Sequence, residues 1–263
     1  MADEHFERYR KELDKLNLKT TSDLEKLVAP LIKEATKITL KNPSKMPKDS
    51  HLKSHFGGQP YFEKGEEWPR ARDDFRENRE LEFVFQIYNE SGIALPENIK
   101  LVQFYYDLDD EFSFETKDGG WLVKIYEDIR PENYLFIAKP KKNKTVKYCE
   151  IKHKQIKSLP DWQGLDVYSP NASKLSCVLD EDEPWKNYDK IAKKLVGEKE
   201  ICSQLGGYAY WVQGDDNPGK DNFTFLFQID SEDNAGLMWG DCGLIYVFYD
   251  ARNKKTEFVL QCY

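Results

Sequence analysis

The feature of this sequence that most constrains its fold is an internal repeat. Three blocks recur in the same order at offsets of 149, 142 and 143 residues. The paired blocks are HFGGQPYFEKGEEWP at 55–69 with QLGGYAYWVQGDDNP at 204–218, FVFQI at 83–87 with FLFQI at 225–229, and LVQFYYD at 101–107 with LIYVFYD at 244–250. Because three matches in one order at nearly one offset are hard to obtain by chance, we infer an ancient duplication and two related halves.

Most of the chain after residue 54 shows the patterns of strands. The runs at 82–87, 101–106 and 122–126 alternate or are rich in aromatic and β-branched residues. The segments 134–139 and 145–153, joined by PKKN, predict a hairpin. An exception is a helix that begins near Pro184 and ends before Gly197.

The N-terminal 43 residues are predicted to be helical. Apolar residues recur at spacings of three and four in 3–17, and Ser22 with Glu25 predicts the capping box of a second helix, which Pro30 should kink or split. The predicted fold is therefore mainly β (α+β), with two β-rich halves related by duplication and a short helical N-terminal segment. The predicted segments are the helical N-terminal segment 1–43, the first β-rich repeat 44–157, and the second β-rich repeat 158–263 with one inserted helix. We expect the two halves to pack as one globular unit.

The formal charge of −8 is concentrated in the C-terminal part, where residues 158–263 hold 18 acidic and 10 basic side chains. Such a surface repels phosphate backbones and anionic lipid, so neither nucleic acid nor membrane is the expected partner. The eight lysines between 139 and 157 are interpreted as protection of a hairpin edge. No long apolar stretch is present, and the first 17 residues are charged throughout, unlike a secretory signal.

The five cysteines form no CxxC pair, which argues against a disulfide scaffold and a cysteine-rich zinc site. We therefore expect a cytoplasmic protein with reduced thiols. His51 and His55 are four residues apart but lack the glutamate of HExxH, and the acidic clusters do not match a calcium loop. With no GxSxG motif either, we expect no metal and no cofactor.

Gln86 and Gln228 occupy matching positions in the repeated FQI blocks. If the flanking phenylalanines face the core, each amide projects to the opposite side of its strand. Two interpretations remain open. The glutamines either hold backbone in equivalent places of each half, which we favour, or line a ligand groove.

The repeats also carry a family resemblance, which runs from about His55 to Tyr263. The first half contributes GG at 57–58 and EWP at 67–69; the second contributes LFQIDS at 226–231, MWGDCGLIYVF at 238–248 and FVLQC at 258–262. With these motifs the chain resembles the YwqG-like family of bacterial proteins of unknown function. The resemblance implies a mainly β, internally duplicated fold and no particular activity. The candidate binding residues, where family pattern and side-chain chemistry coincide, are Gln86, Gln228, Asp230, Trp239 and Asp241.

Three hypotheses for function follow. The first is a non-catalytic binding or interaction protein, with an unidentified small ligand or protein partner, that uses a cleft between the halves. The second is a hydrolase-type enzyme in that cleft, with Asp230 or Asp241 acting beside His51 or His55. The third is an immunity-type protein whose acidic half masks a partner's active site.

Overall fold

The computed structural model describes residues 2–72, 79–109, 113–219 and 222–263, with side chains from residue 6 onward. In this part of the chain the α-helices are α1 (Ala2–Lys15), α2 (Thr21–Val28), α3 (Leu165–Tyr168), α4 (Pro170–Leu179) and α5 (Pro184–Val196). The strands are β1 (Lys33–Leu40), β2 (His55–Phe56), β3 (Glu82–Tyr88), β4 (Leu101–Tyr106), β5 (Trp121–Tyr126), β6 (Cys149–Ser158), β7 (Gln204–Gly206), β8 (Thr224–Asp230), β9 (Leu244–Asp250) and β10 (Lys255–Gln261).

The ten strands form one antiparallel sheet in the order β10-β9-β8-β7-β1-β6-β2-β3-β4-β5. The sheet curls until its two outer strands approach each other. A bridge joins Glu115 to Val259 of β10, and the ring of Trp121 in β5 stacks on Phe258 at 5.1 Å. The sheet is thus nearly closed, and the prediction of a mainly β protein is confirmed.

The two flanks of the sheet have the same local geometry. In one, β2, β3, β4 and β5 are consecutive neighbours; in the other, β7, β8, β9 and β10 are. His55 pairs with Gln86 as Gln204 pairs with Gln228. Each long pair also carries one irregularity at the same place, between Phe83 and Phe85 and between Phe225 and Phe227.

The prediction that the N-terminal 43 residues are helical is wrong for the residues that form the centre of the sheet. Residues 33–40 are not helical; they form β1, which lies between β6 and β7. The helical region ends earlier because Pro30 follows α2 within a short 3-10 turn, and the side chains of Thr36, Ile38 and Leu40 are then buried at every second position, as in a strand. The lysine-rich β6 is a central strand, so its lysines do not protect a hairpin edge.

The predicted hairpin of 134–153 is also wrong. Residues 135–148 form no strand, and Leu135 instead donates its backbone N–H to the carbonyl of Phe62. The segment packs across the outer side of the first flank, with Leu135 and Ile137 beside Phe83. Only the 149–158 portion becomes a strand, because β1 and β2 are available to pair with it on both sides.

The helices form a separate layer. It brings the N-terminal helices together with the helices of residues 158–203, which were predicted to belong to different domains. Its buried residues come from both regions: Leu13, Leu24, Val28, Leu159, Leu165, Ala172, Leu175, Tyr188 and Ile191. Residues 158–203 therefore hold three helices instead of the one that was predicted, although α5 begins at Pro184 and ends before Gly197 as expected. The capping box of α2 is formed by Thr20 and Asp23, two residues before the predicted pair.

None of the helices within the described residues combines the length and the apolar character that crossing a membrane requires.

The main core lies inside the curled sheet and is shared by both flanks. Phe85 contacts Phe227 edge to face at 5.1 Å, and Phe104 stacks on Phe258 at 5.9 Å. Since each of these pairs joins strands from opposite flanks, the two halves share one apolar interior.

Candidate functional site

Gln86 lies on β3 with its side chain fully buried. Its Oε1 accepts a hydrogen bond from the backbone N–H of Tyr61 at 3.0 Å. Its Nε2 donates to the carbonyls of His51 at 2.8 Å and Lys53 at 2.9 Å. The amide therefore ties together the segments before and after the short strand β2.

Gln228 lies on β8 and does the same in the other flank. Its Oε1 accepts from the N–H of Tyr210 at 2.8 Å, and its Nε2 donates to the carbonyl of Cys202 at 2.9 Å. Tyr210 and Cys202 are offset by 149 residues from Tyr61 and Lys53. This geometry is the one described by the backbone-holding interpretation, because the hydrogen-bonding groups of both buried amides are already occupied.

Trp239 and Asp230 contact each other behind β8. The indole of Trp239 is fully buried and donates from Nε1 to the backbone carbonyl of Asp230 at 3.1 Å. The Asp230 carboxylate is half-buried and accepts from the N–H of Ser231 at 2.7 Å. Burial raises the pKa of this carboxyl, against the smaller opposing effect of that hydrogen bond.

Asp241 is separate from this pair. Its side chain is exposed, and its backbone carbonyl accepts from the N–H of Tyr263 at 3.1 Å. The carboxylate that does lie near Asp230 is Glu232. Burial raises the pKa of Glu232, and the Asp230 charge raises it further, while a hydrogen bond from the Ser203 hydroxyl opposes both.

The histidines of the hydrolase hypothesis lie elsewhere. The ring of His51 stacks on Tyr134 at 4.3 Å, and His55 is fully buried in β2, where its Nδ1 lies 2.7 Å from the carbonyl of Gly57. His55 packs against Phe83 and Tyr148 in the first flank, whereas Asp230 ends β8 in the second flank. The structure therefore does not bring His51 or His55 beside Asp230.

Two members of the acidic cluster at 107–111 form ion pairs. Asp107 lies 3.0 Å from Arg79, and Asp109 lies 3.4 Å from Lys142. Asp110 and Glu111 are outside the described residues. Within the described ranges no three histidine, cysteine or acidic side chains are grouped to hold a metal ion.

A pocket of about 410 Å³ lies at the centre of the sheet, where β1, β3, β6 and β7 meet. We call it the central pocket. Its floor consists of aliphatic side chains from both flanks and from the central strands: Ile38, Ile87, Ile93, Ile151 and Leu205. Ile38, Ile87 and Leu205 are almost fully buried, so Ile93 and Ile151 supply most of the exposed aliphatic surface and the rest of the lining is polar. The volume lies within the range of small-molecule sites.

The rim of the central pocket is polar and carries both signs of charge. It contains Lys53, Glu90, Glu150 and His153, together with two tyrosines. A hydrogen bond from Lys41 holds the pKa of Glu150 below its usual range, so Glu150 is ionised at neutral pH. The pocket can thus enclose an apolar body while charged groups contact a polar end.

None of the five residues chosen from the sequence lines the central pocket. Lys53, Glu90 and His153 carry no motif, and they become neighbours only when β6 pairs with β1 and β2. One signal was present: the backbone carbonyl of Lys53 accepts a hydrogen bond from the Gln86 amide, so the repeated glutamine holds one wall of the pocket without lining it.

The fold and this site define a mainly β protein with a nearly closed sheet and a central pocket of small-molecule size. The chain belongs to the family described as a domain of unknown function (DUF1963), which matches residues 54–258. The match begins after β1 and ends within β10, so it includes β2 to β9 and the inserted helices. A comparison with curated proteins gives no match.

Proposed function

We propose that this protein is a non-catalytic binding protein that holds a small molecule in the central pocket. The observation that carries the proposal is the pocket itself, of about 410 Å³, with an aliphatic floor drawn from β1, β3, β6 and β7 and a charged rim. A concave site of this size on which several polar and charged side chains converge is typical of small-molecule binding.

The chemistry of the rim favours a ligand with an apolar body and a polar end that carries charge. Lys53 lies close enough to Glu150 to influence its ionisation, so one side of the rim presents both a cation and an anion. Glu90 and His153 add polar groups from β3's following loop and from β6. A zwitterionic molecule with an aliphatic or aromatic body satisfies both the floor and the rim.

The hydrolase alternative has less support. Its carboxylates and histidines occupy different strands, and the pair that does come together, Asp230 and Glu232, has a serine rather than a histidine as its neighbour. The immunity-type alternative rests on the acidic excess of residues 158–263 and draws no further support from the fold.

We also propose that the two flanks descend from a duplication and that the chain is a YwqG-like protein. Support comes from the matching register, the matching irregularities and the matching hydrogen bonds of Gln86 and Gln228. Ser54 and Ser203 add another match, since each hydroxyl accepts the N–H of the residue that ends the neighbouring long strand.

We propose a cytoplasmic location on the basis of the thiols. All five cysteines lie in the described part of the chain, and each is free. Free cysteines persist in a reducing compartment.

The test is a thermal-shift screen of zwitterionic and amphipathic metabolites with matched variants. Ile93→Trp adds bulk at the pocket floor, whereas Ile201→Trp adds the same bulk at an exposed position away from it. We expect compounds that raise Tm for the wild type and Ile201→Trp but not for Ile93→Trp. Equal shifts in all three proteins contradict the proposal, and turnover of a bound compound favours the enzyme hypothesis.

A further inference from the structure

The two outer strands of the sheet face each other across a second open space. This slot, of about 580 Å³, is lined by β5 on one side and by Tyr249 and residues 254–257 on the other. The Trp121–Phe258 stack lies at one end, and the ion pair of Lys254 with Glu127 spans the other. We call it the seam slot. It lies where the two ends of the strand order meet, whereas the central pocket lies at the middle of that order.

The backbone of β10 is only partly paired on the side that faces the slot. There the N–H of Leu260 donates to the carbonyl of Phe114, and the N–H of Phe258 donates to Thr116 Oγ1, both at 2.8 Å. Backbone groups of every second residue in a strand point the same way, so the N–H and C=O of Thr256 face the slot too. The described residues supply no backbone partner for Thr256 on that side.

The wall contributed by β5 is apolar and lacks the usual protection of an edge strand. Val123 and Ile125 are half-buried side chains that line the slot. The lysine of this strand, Lys124, is directed to Glu66 at 2.8 Å instead of guarding the edge. Natural edge strands are normally covered or carry outward charges, because an open edge is a template for another strand.

Trp121 gives a second, independent indication of a missing partner. Its indole lines the slot and is more than nine-tenths buried. Its Nε1–H has no hydrogen-bond acceptor among the described residues. A buried donor of this kind is costly unless a partner satisfies it.

The charge of the slot is opposite to that of the whole molecule. The chain carries a net charge of −8, yet four basic side chains and two acidic ones line the slot. The basic residues are Arg72, Lys117, Lys254 and Lys255. Lys254 pairs with Glu127 and Lys117 pairs with Glu115, so Arg72 and Lys255 are the cations that face an incoming anionic group. A cationic groove on an anionic protein selects for a negatively charged occupant.

We propose that the seam slot binds an extended, acidic segment of a partner protein, which pairs with the open edge at Thr256 and places alternate apolar side chains on Val123 and Ile125. Strand addition of this kind draws affinity from main-chain hydrogen bonds and specificity from the side chains of alternate residues. The proposal is independent of the central pocket, and either can fail alone.

The test measures the anisotropy of a fluorescein-labelled peptide of alternating glutamate and valine, with a lysine–valine peptide as the charge control. We expect the acidic peptide to bind and the basic one not to. Thr256→Pro removes one edge N–H at a position where proline is tolerated, and it should weaken binding about five- to tenfold, whereas Thr256→Ala should not. Lys255→Glu should weaken binding about tenfold, whereas Lys190→Glu on the exposed face of α5 should not.

A further readout does not depend on any variant. Amide hydrogen exchange at Thr256 should slow when the acidic peptide is added to the wild-type protein. Failure of the acidic peptide to bind, equal binding of the basic peptide, or equal binding to Lys255→Glu overturns the proposal. Concentration-dependent dimerisation that Thr256→Pro abolishes also overturns it, since a second copy of the chain would then be the occupant.

Discussion

Thr39 of β1 and Lys152 of β6 face each other across the middle of the ten-stranded sheet. On either side of this pair, the next strand of the sheet pairs at an equivalent position. Lys37, two residues before Thr39, pairs with Gln204 of β7, and Glu150, two residues before Lys152, pairs with His55 of β2. The central pocket lies beside this axis, so the junction of the two flanks is also the site that we propose to bind a ligand.

We expect replacement of the buried glutamines to cost stability. Gln228→Leu leaves the N–H of Tyr210 and the carbonyl of Cys202 without their partners, which should lower the free energy of unfolding by about 1–3 kcal/mol. Urea denaturation measures the change. Gln155→Leu, at an exposed position of β6, is the matched control. Unchanged stability of Gln228→Leu would mean that the amide does not hold this backbone.

The first glycine of each repeated GG pair should not tolerate alanine. Gly57 and Gly206 have φ values of +55° and +62°, and an added Cβ would lie 2.4 Å from the Val146 carbonyl oxygen and 2.5 Å from that of Ala94. Strain and clash together should destabilise each variant by about 2 kcal/mol or more. Thermal unfolding is the measurement.

Gly65→Ala is the control for these substitutions. Gly65 also has a positive φ, of +93°, but an added Cβ there would meet no atom within 4 Å. The loss of stability in Gly65→Ala should be smaller than in the other two variants, because only the backbone conformation is strained. Equal losses at Gly65 and Gly57 would show that the close approach of backbone to glycine is not the cause.

His55 should make stability fall in mild acid. Burial lowers the pKa of this imidazole to about 4, so the unfolded chain, with a histidine pKa near 6.5, binds the proton more readily. The free energy of unfolding should therefore decrease as the pH falls from about 6.5 to about 4, by about 3 kcal/mol from this group. Denaturant titrations of the wild type and His55→Gln across this range measure the difference.

The pH slope of His55→Gln should be flatter than that of the wild type. His153→Gln, at an exposed imidazole on β6, serves as the control and should keep the wild-type slope. Parallel curves for the wild type and His55→Gln would contradict a buried neutral imidazole at residue 55. The comparison is needed because carboxyls with a raised pKa, such as Glu232, act in the opposite direction over acidic pH.

The cysteines should differ widely in their reactivity. Burial raises the pKa of the Cys202 thiol to about 11 and raises that of Cys149 as well, whereas the Cys242 side chain is exposed. Because the thiolate is the reactive form, iodoacetamide at neutral pH should label Cys242 first and leave Cys149 and Cys202 unmodified. Peptide mass spectrometry measures the order. Labelling in denaturant is the control, and equal native rates would contradict the described burial.

How far the sequence predicted this fold depends on how local the signals were. The repeated FQI blocks identified β3 and β8 because strand alternation and the polar glutamine can be read within one segment. β1 was missed because its partners β6 and β7 are distant in the sequence, and Leu31 and Ile32 continue a helical spacing across Pro30. Residues 134–139 resembled a strand in composition, but only Tyr134 among them forms a bridge, to Glu63.

The candidate site shows the same division. The repeat identified Gln86 and Gln228, whose amides occupy matching positions in the structure. The pocket residues could not be found in this way. Lys53 and His153 belong to no repeat or motif in the sequence, and both side chains are exposed in the structure. They acquire a common environment only from the pairing of β6 with β1 and β2.

The most direct test of the central claim is a crystal structure of the protein purified from the cells that naturally produce it. The account predicts bound density in the central pocket, with an apolar body against Ile93 and Ile151 and a polar end near Lys53. A pocket filled by its own side chains or by water alone, in a protein that also shows no thermal shift with any compound, would contradict the account.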